Sequence, residues 1–199
     1  FTDVIVGSED FSFNSNNGRA YIYYGGTGMN NTADVIMNGD SANYYFGCSV
    51  SSAGDVNGDG YFDVIVGARG FRNNTGKAIV FYGGGSMNNV ADVTLTGEAT
   101  DDYFGRSVSS AGDVNGDGFS DAIVGANRAY NGSGRAYIYY GGTVMNISPD
   151  VVLTGELPLT YTFGQAVSTA GDINDDGYDD VIVGSSNYNN YTGQAFVFY

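Results

Sequence analysis

The stretch FGRSVSSAGDVNGDGFSD (residues 104–121) occurs in three versions along this chain of 199 residues. The Phe-Gly pair that opens it and the Asp that closes it return together at Phe46 and Asp63, Phe104 and Asp121, and Phe163 and Asp180. The copies follow one another at intervals of 58 and 59 residues. A repeat of this length is typical of an array in which each copy is one supersecondary unit. The fold is therefore predicted from a single unit and its number of copies.

One unit contains four short segments with strand character. The small-residue segment SVSSAG is followed by the Asp-rich loop and the apolar segment DAIVGA, and the aromatic segment GRAYIYYGG comes next. The segment ADVTLTG of an earlier copy supplies the fourth. None shows helical periodicity, and all are bounded by glycine or asparagine. Four antiparallel strands in a unit of roughly 60 residues predict an all-β protein built of β-propeller blades.

Residue size predicts where each strand lies within a blade. The first strand is nearly all Ser, Ala and Gly, which suits the crowded centre where blades converge. The second and third strands are apolar on both faces, as expected for strands enclosed between neighbouring blades. A β-sandwich could use the same strands, but the strict repeat favours the propeller.

We predict a single β-propeller segment over residues 1–199, with about three and a half blades. Its parts are a partial blade (1–39), two complete blades (40–97 and 98–155) and a second partial blade (156–199). A closed propeller has about four to eight blades, and open blade faces favour association. We therefore expect further blades of a larger propeller, or neighbouring copies of the chain, at both ends of the segment.

The units resemble FG-GAP repeats, the blades of the integrin alpha-subunit propeller and of many secreted microbial proteins. The resemblance rests on the Phe-Gly pairs, on the Asp-rich loop behind each pair, and on a GAP-like triplet after the second strand. That triplet lacks the proline and reads GAR, GAN and GSS at residues 67–69, 125–127 and 184–186. The resemblance covers essentially the whole chain. It implies an extracellular, calcium-binding propeller with a role in cell adhesion.

The nine-residue loop DVNGDGYFD (55–63) carries oxygen donors at positions 1, 3, 5 and 9, and glycine at position 6 turns the position-7 carbonyl inward. Oxygen ligands disfavour zinc and copper, and a flexible carboxylate-rich loop favours calcium over magnesium. We predict three Ca²⁺ sites that act as structural clips between strands 1 and 2 of each blade. Their ligands are Asp55, Asn57, Asp59, the Tyr61 carbonyl and Asp63; Asp113, Asn115, Asp117, the Phe119 carbonyl and Asp121; and Asp172, Asn174, Asp176, the Tyr178 carbonyl and Asp180.

An EF-hand is the competing interpretation of the pattern D-x-N-x-D-G. It requires flanking helices and a glutamate at position 12, where this chain has valine in a predicted strand, at Val66, Val124 and Val183. The EF-hand is therefore rejected. Asp3 occupies position 9 of a fourth loop whose earlier ligands are absent, so it is not assigned to a site.

The composition excludes several functions. With 22 acidic and 7 basic residues the net charge is −15, which disfavours nucleic acid and anionic membranes as partners. The chain has no histidine, so it cannot hold a Ser-His-Asp or Cys-His system. Nearly every repeated acid is assigned to a cation, while Glu98 and Glu156 are interpreted as solvated turn residues. Cys48, which aligns with Arg106 and Gln165, is interpreted as an incidental variant.

The loops between strands 2 and 3 lie on the face opposite the calcium loops, because successive hairpins alternate between the two faces. Their aromatic and basic character suits recognition of a protein or carbohydrate. The residues concerned are Arg69, Phe71, Arg72, Arg128, Tyr130 and Tyr188. Asn-x-Ser/Thr glycosylation sequons begin at Asn30, Asn73, Asn131, Asn146 and Asn190.

We predict a calcium-stabilised propeller module at the cell surface or outside the cell that recognises an extracellular protein or glycan through its loops. It would act in binding or adhesion and not as an enzyme. Two alternatives remain. The chain could be a structural subunit of a surface polymer or filament completed by neighbouring chains, or the propeller part of a larger secreted enzyme.

Overall fold

The computed structural model describes residues 2–10, 17–155, 162–188 and 192–199. Within these ranges the chain forms fourteen strands in four antiparallel sheets. Sheet 1 contains β1 (Val4–Ser8), β2 (Arg19–Tyr23) and β3 (Val35–Asn38), and sheet 2 contains β4 (Phe46–Gly54), β5 (Asp63–Ala68), β6 (Lys77–Phe81) and β7 (Val93–Thr96). Sheet 3 contains β8 (Phe104–Gly112), β9 (Asp121–Ala126), β10 (Arg135–Tyr139) and β11 (Val151–Thr154), and sheet 4 contains β12 (Ala166–Gly171), β13 (Asp180–Ser185) and β14 (Gln194–Phe198).

Each sheet is a meander in which strands adjacent in sequence are hydrogen-bonded neighbours. This confirms the all-β class and the blade architecture, and it contradicts a two-sheet sandwich. The four sheets fall within the four predicted segments, whose exact bounds stay predictions. A turn at Phe71–Asn74 (α1) has positive φ at Arg72 (45°) and Asn73 (58°), so it is not a regular helix.

The first strands of neighbouring blades lie side by side, as their small residues predict. The Val108 amide of β8 donates to the Ser49 hydroxyl of β4 at 3.1 Å. The Ser107 hydroxyl donates in turn to the Gly164 carbonyl ahead of β12 at 2.9 Å. The second and third strands of sheets 2 and 3 are largely buried on both faces, in agreement with their apolar sequences.

The phenylalanine of each Phe-Gly pair is buried at the boundary between two blades. Phe104 is 1% exposed and belongs to one cluster with Leu95 of sheet 2 and Tyr137 of sheet 3. Its ring meets that of Tyr137 edge-on, with centroids 5.4 Å apart. Its backbone forms a parallel bridge to Gly76, directly before β6 in the preceding blade. Each Phe-Gly pair therefore belongs to two blades at once.

The glycine of the pair permits this close approach. Gly105 has φ +79°, and a Cβ there would overlap the Lys77 carbonyl in the preceding blade. On the other side, a Cβ at Gly67, the first residue of a GAP-like triplet, would overlap the Gly105 carbonyl. The same contact joins Gly125 to Gly164. The two glycines of the repeat are thus paired across the blade boundary, where only glycine fits.

Sheets 1 and 4 each leave one face open in the described part of the chain. Val4 and Val6 of β1 are 43% and 44% exposed. No residue of β12 or β14 is buried, whereas β10, the equivalent of β14 in sheet 3, is largely buried and β8, the equivalent of β12, is partly buried. Gly184 repeats the position of Gly67 but has no carbonyl of a following blade against it among the described residues.

We expect the substitution Phe104→Ala to lower the free energy of unfolding by about 3–5 kcal/mol, because it removes a buried ring and leaves a cavity between two blades. Phe62→Ala is the matched control, since Phe62 is 79% exposed and its loss changes the free energy by less than about 0.5 kcal/mol. Urea unfolding followed by circular dichroism measures both values. Equal losses in the two variants would contradict this role for the repeated phenylalanine.

Candidate functional site

Each predicted metal loop connects the first two strands of a blade. The loops lie between β4 and β5, between β8 and β9, and between β12 and β13. Position 12 falls inside the second strand, where Val66, Val124 and Val183 are completely buried. The loops are therefore tips of β-hairpins, which confirms the rejection of the EF-hand.

Positions 1, 3 and 5 of the first loop are brought together by hydrogen bonds. The Asp55 carboxylate accepts from the amides of Asp59 (3.1 Å) and Gly60 (2.9 Å). The Asn57 side chain accepts from the Asp59 amide at 2.9 Å and donates to the Asp59 carboxylate at 3.0 Å. Asp59 in turn accepts from the Tyr61 amide at 2.9 Å. These contacts form a tight polar turn in which Asp55 and Asp59 accept hydrogen bonds from backbone amides and from the Asn57 side chain.

The other two loops repeat this conformation. Asp113 accepts from the Gly118 amide at 2.9 Å, and Asp172 accepts from the Gly177 amide at the same distance. The side-chain pairs Asn115–Asp117 and Asn174–Asp176 are also joined at 2.9 Å. Three copies of one sequence motif thus adopt one geometry.

The position-9 aspartate lies beneath the loop and binds two backbone segments. Asp63 is completely buried, and its two oxygens accept from the amides of Val56 (2.8 Å) and Gly83 (2.7 Å). Burial raises the pKa of Asp63 to about 6, and the negative charges of Asp59 and Asp55 add to this shift. Asp63 thus anchors the loop to the end of the third strand.

Asp121 and Asp180 occupy the same buried position in the next two blades. Burial raises the pKa of Asp121 to about 6 as well. The Oδ1 atom of Asp180 is buried without a hydrogen-bond partner in the described part of the chain. Asp3 accepts from the Gly25 amide at 2.7 Å, so this anchor forms even where the rest of the loop motif is absent.

The donor chemistry of the loops fits a hard cation. The side chains offer only oxygen ligands, and the buried position-9 carboxylates have no cationic partner within the described ranges. A buried carboxylate without a compensating charge is unfavourable, and a divalent ion would supply that charge. No three acidic, histidine or cysteine side chains are gathered as a metal cluster in the described residues. The three ligand sets, including the carbonyls of Tyr61, Phe119 and Tyr178, stay predictions.

The loops of neighbouring blades are joined directly, which the sequence analysis did not predict. The Asp55 carbonyl accepts from the Ser120 amide of the next loop at 3.0 Å. One blade further on, the Asp113 carbonyl accepts from the Asp179 amide at 3.0 Å, and the Asp113 amide donates to the Asp179 carboxylate at 2.8 Å. A Cβ at Gly58 would overlap the ring of Phe119. An ion that orders one loop would therefore also order a blade boundary.

A second set of repeated acids has a purely structural role. Tyr82, which follows β6, donates its amide to Asp92 at 2.7 Å. Asp34 and Asp150 accept equivalent hydrogen bonds from Tyr24 and Tyr140. The expectation that nearly every repeated acid serves a cation is therefore wrong. The recurrence of aspartate before the fourth strand is the sequence signal that identifies this set.

Glu98 and Cys48, for which the sequence predicted no specific contact, both have partners in the structure. Glu98 is not a plain solvated acid, because it forms an ion pair with Arg135 at 2.5 Å. Glu156 lies outside the described residues. Cys48 is half-buried with its sulfur 3.4 Å from the Gly105 carbonyl, and burial raises the pKa of its thiol.

The opposite face carries the basic and aromatic residues, as predicted, but many of these contact one another. Arg69 pairs with Glu9 at 3.1 Å and lies 4.2 Å from the centre of the Tyr45 ring. Arg128 lies 4.9 Å from the centre of the Tyr103 ring. The remaining contacts are Arg72 over Phe71, Arg135 over Tyr130, and Tyr188 edge-on to Phe196.

Two sequons lie on this face, at Asn73 and Asn131, between the second and third strands. The Asn190 sequon falls outside the described residues. Asn30 and Asn146 accept hydrogen bonds from the amides of Thr32 and Ser148 in local turns. In the described ranges, no helix is long and apolar enough to span a membrane.

Comparison with known proteins assigns the family. The FG-GAP repeat family matches residues 46–81, 104–139 and 163–198. Integrin alpha-7 of Mus musculus is 34% identical over 158 residues, which cover 76% of this chain and 13% of the relative. Integrin alpha-6 of Gallus gallus is 34% identical over 156 residues (75% and 14%), and integrin alpha-PS3 of Drosophila melanogaster is 32% identical over 184 residues (87% and 16%). The chain spans 13–16% of the length of these three curated relatives, and it belongs to the FG-GAP repeat family.

Proposed function

We propose that this chain is part of an extracellular, integrin-alpha-like propeller whose blades are held by calcium and whose opposite loop face binds a protein or glycan. The observation that carries the proposal is the interlocking of Asp-rich loops between neighbouring blades, through Asp55 with Ser120 and Asp113 with Asp179. Because each loop contacts the next, ion binding would stabilise the blade boundaries and so the shape of the opposite face.

Three calcium ions are proposed, one for each loop, with the ligand sets predicted from the sequence. Their formal charge of +6 would reduce the net charge of the chain from −15 to −9. The millimolar calcium outside cells is sufficient for loop sites of modest affinity, with dissociation constants of about 10⁻⁴–10⁻³ M. This supports an extracellular or cell-surface location. Glycosylation of the sequons stays a prediction.

A binding role is favoured over catalysis. The sequence contains no histidine. The repeated acids outside the metal loops, Asp34, Asp92 and Asp150, accept backbone hydrogen bonds, and Glu98 is held in an ion pair. These four acids are thus engaged in structural contacts.

We also propose that further FG-GAP blades, and not second copies of this segment, cover the open faces. Gly67 and Gly125 each face the carbonyl of a Phe-Gly pair in the next blade. Gly184 is the next position in this series, so the complementary surface must offer a Phe-Gly pair. Sheet 1 of a second copy contains no Phe-Gly pair, and a filament of repeated segments would leave Gly184 without its partner.

Calcium is expected to raise the free energy of unfolding by about 2.7 kcal/mol per site when its concentration is one hundred times the dissociation constant. The substitution Asp117→Asn should reduce this gain, because it removes one charged ligand, and should leave the stability in chelator unchanged or higher, because like charges are separated. Thermal melting with calcium and with chelator measures both effects.

Asp101→Asn is the matched control for this experiment. Asp101 is an exposed acid outside the loops that accepts from the Asn74 side chain at 2.9 Å, and its substitution removes the same charge. It should leave the calcium-dependent gain intact. If chelation does not change the melting of the original chain, the calcium proposal is wrong.

The open faces predict that the 20.9 kDa segment associates when it is produced alone in calcium. Extension of the chain by further FG-GAP blades at its C-terminal side should suppress this association, because a Phe-Gly pair then covers the face around Gly184. Light scattering during size-exclusion chromatography measures the mass of both forms. A stable monomer of the segment alone would contradict the prediction.

The binding role itself is tested with arrays of glycans and extracellular proteins, probed with the chain in calcium. We expect at least one ligand whose binding is lost in chelator, since calcium orders the blades that present the loop face. The substitution Asp117→Asn should weaken the same signal, because it weakens calcium binding on the face opposite the ligand. Absence of binding to both arrays would contradict a recognition module.

A further inference from the structure

Three of the seven basic residues of this acidic chain line one cavity: Arg69, Arg106 and Arg128. The cavity has a volume of about 360 Å³, and its other lining residues are Tyr103, Asn127 and Gln165. It is formed where β5 and β9 end and where β8 and β12 begin, so it joins sheets 2, 3 and 4. These strand ends belong to the face opposite the metal loops. In the sequence, Arg106 is distinguished only by its alignment with Cys48 and Gln165 in the other copies of the repeat.

The cavity contains more positive charge than the described acids neutralise. Arg69 is paired with Glu9 at 3.1 Å. Arg128 contacts the Tyr103 ring but forms no ion pair with a described carboxylate, and the same holds for the side chain of Arg106. In a chain with 22 acidic residues, two guanidinium groups that share a cavity and lack acidic partners indicate a place for an external anion.

The uncharged lining groups indicate what else the ligand carries. The Asn127 amide donates to the Gln165 side-chain oxygen at 2.6 Å. This leaves the Asn127 oxygen and the Gln165 nitrogen available to accept from and donate to a ligand. Among the described residues, the only aromatic ring in the lining is that of Tyr103, against which Arg128 already packs. The cavity therefore offers hydrogen-bonding groups and little apolar surface.

We propose that this cavity binds an acidic saccharide, with its carboxylate or sulfate held by Arg106 and Arg128 and its hydroxyls by Asn127 and Gln165. The proposal rests on the proposed ligand-binding role of this face and specifies the class of ligand. An acidic peptide fits less well, because protein contacts depend on buried aromatic and apolar anchors that the lining does not accommodate. The volume lies at the lower end of the range of about 300–1,000 Å³ for small-ligand pockets, which suits a terminal sugar or a short segment of a chain.

The test is isothermal titration calorimetry of the folded chain, with the same calcium concentration in cell and syringe. Three tetrasaccharides serve as probes: a galacturonate oligomer that carries carboxylates, a carrageenan oligomer that carries sulfates without carboxylates, and neutral maltotetraose. At an ionic strength of about 0.15 M the Debye length is about 8 Å, so the overall negative charge of the chain is largely screened. We expect saturable binding of at least one acidic probe and none of the neutral one, and the probe that binds identifies the anion.

The substitutions Arg106→Gln and Arg128→Gln should each weaken binding of the acidic probe by about tenfold or more, because each removes a charged hydrogen bond. Arg19→Gln is the matched control. Arg19 begins β2 in sheet 1, outside the cavity, and its substitution removes the same charge while changing the affinity by less than about twofold. Unchanged melting in calcium shows that each variant is folded.

Two results would overturn the proposal. One is the absence of saturable binding by both acidic probes, and the other is equal weakening in Arg19→Gln and Arg106→Gln, which would indicate general electrostatics and no specific site. Neither result affects the broader binding role, which the arrays of glycans and extracellular proteins test separately. Array binding of a protein or a neutral glycan without binding of either acidic probe would contradict the cavity proposal alone.

Discussion

The close backbone contact between neighbouring blades is the constraint on which this structure depends. At each boundary one glycine, such as Gly67, lies against the carbonyl of another, such as Gly105, which itself lies against the third strand of the preceding blade. A side chain at either glycine would separate the sheets and expose the buried Phe104 beside them. The small inner strands follow from the same requirement, because blades that approach this closely leave little room near their common centre.

The acidic loops are coupled to that constraint. Each loop collects several carboxylates in a few residues, and in the structure these accept hydrogen bonds from backbone amides and from an asparagine side chain. Hydrogen bonds from amides reduce the repulsion between the carboxylates but do not remove their charge. Since Ser120 and Asp179 join each loop to the next blade, the state of a loop affects the packing of two sheets. An ion bound in such a loop would therefore stabilise the packing between blades.

The two faces of the array differ in charge. The metal loops place most of the clustered aspartates on one face, while Arg69, Arg106 and Arg128 share a cavity on the other. A chain of net charge −15 can thus present a local cationic site, because the opposing charges are separated by the length of the strands and are screened by salt. The rigid array keeps this separation, and the loops that vary between copies lie on the face that carries the cavity.

The sequence alone determined the features that recur in every copy. The spacing of Phe46, Phe104 and Phe163 predicted the blades, and the residue sizes predicted the order of strands from the centre, because each copy must bury the same surfaces against the next. The sequence also predicted that the acidic loops lie at the turns of β-hairpins. The twelfth residue from the start of each loop is a valine of the next strand, and glycine occupies the turn.

Only the tertiary structure decided the contacts between copies. The contact of the buried Asp63 with Gly83, the link from Asp113 to Asp179 and the hydrogen bond from Tyr82 to Asp92 join residues 20, 66 and 10 positions apart in the chain. Arg106 shows the same limit. The equivalent residues in the other copies are Cys48 and Gln165, so the repeat pattern indicates only that this position varies. The structure shows in addition that Arg106 shares a cavity with Arg69 and Arg128 where three blades meet. A repeat specifies each copy and its neighbour, whereas a site shared by several copies depends on the residues that differ between them.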